Sequence, residues 1–142
     1  MLEALSISLN QTAVIGFLLY MLGAAIFLSL FQFIYTRITP HKEFALIREN
    51  NIAASIGLAG AVIGFAIPAS NVIAYSVSLL DFVVWAVIAG MVQLLGFLVT
   101  TLVIKNVSAR IQKGEIATGI YVAAVAISVG MLNAACMTPS TN

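Results

Sequence analysis

The spacing of the charged side chains constrains this chain most, because it leaves four long apolar segments between short charged stretches. The residues are 62 % hydrophobic and only 8 % charged, and the mean hydropathy is +1.12. Soluble domains of this length do not have that composition, so membrane spans are required. We therefore predict one all-α membrane domain over residues 1–142. Its four transmembrane helices are expected at about 12–35, 51–68, 81–104 and 115–136.

The second apolar segment is crowded with small residues. Ala53, Gly57 and Ala61 stand four apart on one helical face, and Gly60 and Gly64 form a second small-residue step beside it. Strips of this kind let helix backbones approach closely in a membrane, which favours helix association. Close helix packing is therefore the expected role of these residues. Lining a path for a solute is the more specific alternative.

Pro68 interrupts the same segment. Proline removes a backbone hydrogen bond and crowds the carbonyl four residues back, so we expect span two to end or kink near this residue. Residues 70–80 carry no charge and are too few to cross a membrane. They form either a kinked continuation of span two, which we favour, or an interfacial or re-entrant piece.

A diverged copy of the second segment returns 64 residues later. Five residues recur at this shift: Ile52, Ala53, Ile56, Ala59 and Ile63 correspond to Ile116, Ala117, Ile120, Ala123 and Ile127. We read a duplicated two-helix hairpin, with repeat one at about 12–70 and repeat two at about 81–138. The repeats are parallel, related by a pseudo-two-fold axis along the membrane normal. Gly119 and Ala123 are the predicted helix-packing residues of the copy.

All basic residues lie in two loops between predicted spans, although the formal net charge is only +1. They are Arg37, Lys42, Arg48, Lys105, Arg110 and Lys113. The positive-inside rule places both loops in the cytoplasm, which gives an N-out/C-out arrangement. These loops attract anionic lipids and are the predicted contact for a cytoplasmic protein partner. Six basic residues are too few to suggest nucleic-acid binding, and membrane topology already accounts for their positions.

The loops also carry local signals. Thr39 followed by Pro40 suits the start of a short amphipathic helix that leads into span two. Gly114 suits a left-handed turn that ends span three. His41 is the only histidine, and a lone loop histidine is a poor candidate for a metal ligand or a catalytic group.

Few polar residues lie within the apolar segments. Gln93 is 12 residues from both Asp81 and Lys105, which places it near the bilayer midplane. A midplane amide needs a partner, and an interhelical hydrogen bond is its expected role. Trp85 suits the aromatic belt at the membrane surface. The candidate positions of the outer leaflet are Pro68, Asp81, Trp85 and Asn133.

The sequence offers no pattern typical of an enzyme. It has no His or Cys cluster for a metal, no phosphate-binding Gly-rich loop with a lysine, and no acid pair at hydrolase spacing. Cys136 is the only cysteine, so an intramolecular disulfide is excluded, and we expect it to be a small packing residue. We predict no catalytic, cofactor-binding or metal site.

Three stretches together resemble a known family. They are Ile67 to Ser70, Trp85 with Gln93 eight residues later, and the closing run from Gly130 to Thr138. They look like the YjfL-type small bacterial inner-membrane proteins, a domain-of-unknown-function family built from a repeated two-span unit. The resemblance covers about residues 16–138. It implies a bacterial cytoplasmic membrane and no enzymatic activity, and some relatives are thought of alongside envelope-stress proteins.

Two classes of function follow from these features. The first is a self-associating helix bundle with a structural or interaction role, indicated by the small-residue strips and the basic loops. The second is a small oligomeric channel or transporter for ions or small solutes, indicated by the parallel repeat, Gln93 and Pro68. Four spans enclose little space, and no charged residue lies at midplane depth, so we rank the first class slightly higher.

Overall fold

The computed structural model describes residues 10–137, so the predicted end of repeat two and Thr138 of the closing motif lie outside the described residues. Six helices occur in this range, and no strand does. They are α1 (Gln11–Ile38), α2 (Glu43–Arg48), α3 (Ile52–Tyr75), α4 (Leu79–Val103), α5 (Val107–Gln112) and α6 (Ile116–Cys136). The helices α1, α3, α4 and α6 are long and apolar enough to cross a membrane. The prediction of an all-helical chain with four such helices is confirmed.

Side-chain caps set the starts of three long helices. Asn10, Asn51 and Ser78 each accept a backbone N–H from the residue three positions on, at the first turns of α1, α3 and α4. These bonds satisfy backbone donors that have no partner inside the helix. The caps therefore mark the helix boundaries, within a few residues of the boundaries that hydropathy predicts.

Helices α3 and α6 are the most closely packed pair of the bundle. A Cβ on Gly60 would lie 2.3 Å from the Cα of Ala123, and a Cβ on Gly119 would lie 2.5 Å from the carbonyl oxygen of Ala53. The contacts advance in the same direction along both helices, so α3 and α6 run parallel. Small residues are needed here because the two backbones themselves touch.

The other predicted packing residues of α3 face different neighbours. A Cβ on Gly57 would make an ordinary contact of 3.8 Å with Ile111 of α5. Ala61 is buried in a cluster that joins α1, α3 and α4. The ring of Phe31 stacks on Phe65 with centroids 4.5 Å apart, and Tyr35 meets Phe97 edge-on at 5.0 Å. Aromatic rings thus attach α1 to α3 and to α4.

Helix α3 continues through Pro68 to Tyr75, so of the two expected outcomes, an end or a kink near this residue, the end is excluded. Pro68 has no N–H, so the carbonyl of Gly64 loses its donor within the helix. That carbonyl instead faces α6, where a Cβ on Gly130 would lie 2.0 Å from its oxygen. A neighbouring helix can accommodate a backbone group that a proline frees. Of the alternatives for residues 70–80, the helical continuation is therefore present as far as Tyr75.

Two loop predictions were correct only in part, since the short helix and the left-handed Gly114 are present but at other places than expected. Thr39 caps the C-terminus of α1 and its backbone N–H donates to Tyr35, while the short helix α2 begins only at Glu43. Gly114, with φ of +77°, follows α5 rather than span three, because residues 107–112 form a helix of their own. The side chain of Asn51 donates to the carbonyl of Ile111 at 2.9 Å, so the two loop regions meet at one end of the bundle.

Candidate functional site

The side chain of Gln93 lies buried in the middle of α4, with the residue 3 % exposed. Its Nε2 donates to the carbonyl oxygen of Ala126 on α6 at 2.9 Å. A Cβ on Gly64 would lie 2.4 Å from this nitrogen, so only glycine leaves room for the amide on α3. Gln93, Gly64 and Ala126 therefore form a node where three helices meet.

The oxygen of this amide has no hydrogen-bond partner among the described residues. Gln93 Oε1 is fully buried, and Gln93 lines a small cavity together with Tyr35 and Thr100. The cavity measures about 10 Å³, which is about the least space that holds one water molecule. Its lining thus includes the amide of Gln93 and the hydroxyl groups of Tyr35 and Thr100.

Further amide side chains join the helices in the same manner. Asn133 on α6 donates to the carbonyl of Ala89 on α4 at 3.3 Å, and Asn71 on α3 donates to Ala134 on α6 at 2.8 Å. Together with Gln93 and Asn51, they link α3, α4, α5 and α6 through backbone acceptors. These amides hold helices together.

A cavity of about 300 Å³ lies at the end of the bundle opposite the loops, where α3 and α6 end and α4 begins. Asp81, Trp85 and Cys136 line it, together with Tyr75. Cys136 is exposed here and is not the packing residue we expected. Asn133 does not line this cavity, since its amide reaches Ala89, eight residues into α4 from Asp81. The structure thus groups Asp81 with Trp85 and leaves Pro68 and Asn133 in the helix packing.

Asp81 has a local structural role. Its Oδ2 accepts the backbone N–H of Val77 at 3.1 Å, while its own N–H donates to the Ser78 hydroxyl. This arrangement resembles a capping box, in which the cap and the residue three positions later satisfy each other's backbone donors. The carboxylate is also favoured by the positive end of the α4 dipole.

A polar cluster at the loop end is absent from the sequence predictions. The Nε2 of His41 lies 2.8 Å from Glu43 Oε1, and its Nδ1 lies 2.9 Å from the Ser108 hydroxyl on α5. Both side chains of the His41–Glu43 pair are only 2 % exposed. The approach of Glu43 is out of line for a hydrogen bond, and Glu43 Oε2 and Thr39 Oγ1 have no partner among the described residues. The two side chains are thus buried in contact with each other.

One signal in the sequence points to this cluster. His41 stands two residues from Glu43 at the start of a short helix, so one turn of chain brings the two side chains together. The burial itself has no local signal, because it depends on Ser108 of the other loop, 67 residues away. Within the described range, no group of three or more His, Cys, Asp or Glu residues is placed to hold a metal ion.

Comparisons with known proteins identify similar chains. The family model described as Domain of Unknown Function (DUF350) matches residues 8–137. Two proteins named UPF0719 inner membrane protein YjfL, from Escherichia coli (strain K12) and Escherichia coli O157:H7, are each 39 % identical over 119 residues. The alignment covers 84 % of this chain and 89 % of each relative. No solved structure matches the chain. The predicted resemblance is thus confirmed.

Proposed function

The chain belongs to the DUF350 family, and from that premise we propose that it is a non-enzymatic, self-associating helix bundle with a structural, interaction or envelope-stress role. Its relatives are named inner membrane proteins, and four of its helices are able to span a membrane. The protein is accordingly a multi-pass protein of the bacterial inner membrane.

The interhelical amides carry this proposal. Gln93, Asn133, Asn71 and Asn51 each donate to a backbone carbonyl of another helix. A solute path needs polar groups that face an opening, whereas these polar groups are committed to helix contacts. Interhelical hydrogen bonds of this kind average about 0.6 kcal/mol each. Together they favour a rigid core over a permeable one.

The proposed architecture is a duplicated hairpin with both loops in the cytoplasm. Helices α2 and α5 have the same length and begin 64 residues apart, and α3 and α6 also begin 64 residues apart. The left-handed residues Asn50 and Gly114 have the same separation. These coincidences support the repeat, and the parallel course of α3 and α6 supports a common orientation of both copies in the membrane.

The loop end is the proposed docking surface for a cytoplasmic protein. All six basic side chains are exposed, and both loops meet at this end. Arg110 is committed to Glu115, and its guanidinium lowers the pKa of that carboxyl. Lys42, Arg48 and Lys113 have no such carboxylate among the described residues, which leaves them for anionic lipids or an acidic partner.

Self-association has to use a face other than the small-residue strips, because α6 occupies the closest of them. The outward face of α1 is exposed and apolar along most of its length. We propose this face for contact with a second copy and with membrane lipids. Crosslinking between cysteines placed at Leu18 on α1, in a Cys136→Ala background, tests it: a crosslinked dimer supports the proposal and a persistent monomer contradicts it.

A pull-down tests the docking surface. The variant Lys42→Gln, Arg48→Gln, Lys113→Gln should lose its cytoplasmic partner, since its three unpaired cations are removed. Asp81→Asn is the matched control because it changes a charge at the other end of the bundle. If the triple variant captures the same partner as the wild type, the loops are not the docking surface.

A small channel or transporter is the second candidate, and the unpartnered Gln93 Oε1 beside its cavity favours it. The test is a flux assay in liposomes that contain the purified protein. It measures the flux of several ions, and the flux of protons under a pH gradient. If the wild type conducts and Gln93→Leu does not, with folding and oligomer size preserved, the protein is a pore and the structural proposal is wrong. A membrane that stays tight under all these gradients supports the structural role.

A further inference from the structure

Asp81 has no basic partner that the chain can supply from its side chains. All Lys and Arg residues, and the only His, lie in the two loops at the other end of the bundle. Lys105 follows α4, and 24 residues of helix separate it from Asp81, or about 36 Å at 1.5 Å per residue. Of the two carboxylate oxygens, only Oδ2 accepts a backbone N–H within the described residues. The side chains of the chain thus offer Asp81 no cation, which leaves its carboxylate open to a cation from outside the chain.

The surroundings of this carboxylate select the kind of cation. The cavity of about 300 Å³ has aromatic walls from Trp85 and Tyr75 and apolar walls from Val72 and Met137, and the polar residues Asn71 and Ser76 also line it. Pockets of this volume accept small organic ligands. An aromatic ring face attracts an ammonium group, and Trp does so most strongly. A carboxylate beside aromatic and apolar walls therefore suits an ammonium group carried on an apolar body better than it suits a hydrated metal ion.

We propose that the cavity between Asp81 and Trp85 binds the ammonium group of an amphipathic amine at the membrane surface opposite the basic loops. Asp81 supplies the counter-charge, Trp85 the aromatic face, and Val72 and Met137 contact the apolar body. The shared chemistry fits two sources, the ethanolamine headgroup of a membrane lipid and a free amphipathic amine. The capping bonds use Asp81 Oδ2 and the Ser78 hydroxyl within residues 77–81. They give no role to Asp81 Oδ1 or to the other walls of the cavity.

The chain contains its own reporters for this site. Trp85 is the only tryptophan and Cys136 is the only cysteine, and both line the cavity. Purified protein in phosphatidylglycerol nanodiscs, which contain no ammonium lipid, would be titrated with dodecylamine and with uncharged dodecanol. Trp85 fluorescence and the rate at which a maleimide labels Cys136 are the two readouts.

Dodecylamine should give a saturable fluorescence change and slow the labelling of Cys136, and dodecanol should do neither. Asp81→Asn should weaken the apparent affinity about tenfold, which corresponds to about 1.4 kcal/mol. Asparagine retains an oxygen for the Val77 N–H, so the helix cap survives, and Glu49→Gln at the loop end is the charge-matched control. Trp85→Leu, followed through Cys136 labelling, should weaken protection independently of the cap.

The proposal is overturned if Asp81→Asn and the wild type respond alike, or if dodecanol acts as strongly as dodecylamine. Adding phosphatidylethanolamine to the nanodiscs separates the two sources. A weaker effect of dodecylamine in those nanodiscs assigns the site to the lipid headgroup, because the lipid competes. An unchanged effect assigns it to a free amine.

Discussion

Gly130 is the glycine at which an added Cβ would make the closest contact with a neighbouring helix. A Cβ there would lie 2.0 Å from the Gly64 carbonyl oxygen, which Pro68 has deprived of its donor. Gly130→Ala should therefore push α3 and α6 apart and lower the free energy of unfolding by about 1–3 kcal/mol, the usual cost of overpacking. Unfolding in mixed micelles would measure it.

Gly16→Ala is the matched control for that substitution. It lies within α1, and a Cβ there would meet nothing within 4 Å. Alanine should leave stability unchanged or raise it slightly, since it is the better helix former. Equal losses at both glycines would show that the α3–α6 contact is looser than described.

The pair of His41 and Glu43 should behave as a unit. Removing one member of a buried polar pair leaves the other without its partner and costs about 1–3 kcal/mol. We expect Glu43→Leu and His41→Leu each to destabilise the protein strongly, and the double variant to cost clearly less than the sum. Equilibrium unfolding of the four proteins measures the coupling. Simple additivity would mean that the two side chains do not interact, and Glu49→Gln reports the effect of an exposed glutamate.

An ion pair between Arg110 of α5 and Glu115 at the start of α6 depends on pH. Arg110 donates to Glu115 and lowers the pKa of this carboxyl from its ordinary value of 4.5. Folding therefore favours the ionised form, so its contribution is present above pH 4.5 and is lost as the pH falls through the lower folded pKa. Denaturation curves between pH 6 and about pH 3 should show a shallower acid decline in Glu115→Gln than in the wild type.

The long helices could be predicted from the sequence because hydropathy determines them. Their caps were not predicted, and the one predicted N-cap, Thr39, ends a helix instead. Helix α5 was missed because Val107 and Ile111 are buried by α3, a contact that only the fold provides. The same limit applies to Glu43, which reads as a loop charge but is buried through Ser108. Gln93 was predicted to bond another helix, and the structure supplies Ala126 as the acceptor.

For the molecule as a whole, the orientation in the membrane has a direct test. If the basic loops are cytoplasmic, the exposed Cys136 lies at the outer surface. A membrane-impermeant maleimide should then label Cys136 in intact cells with a permeabilised outer membrane. In a Cys136→Ala background, a cysteine at Lys113 should react only after the inner membrane is opened. The reverse pattern would invert the proposed topology.

The close fit between α3 and α6 has a consequence for how the chain is made. Helix α6 begins 64 residues after α3, and at about 5–20 residues per second the ribosome needs roughly 3–13 s to supply it. During that interval α6 has not been synthesised, so the glycine face of α3 and the Gly64 carbonyl have no helix to pack against. A second nascent copy that offers its own α6 first would complete the face instead, and two chains would emerge as an exchanged pair.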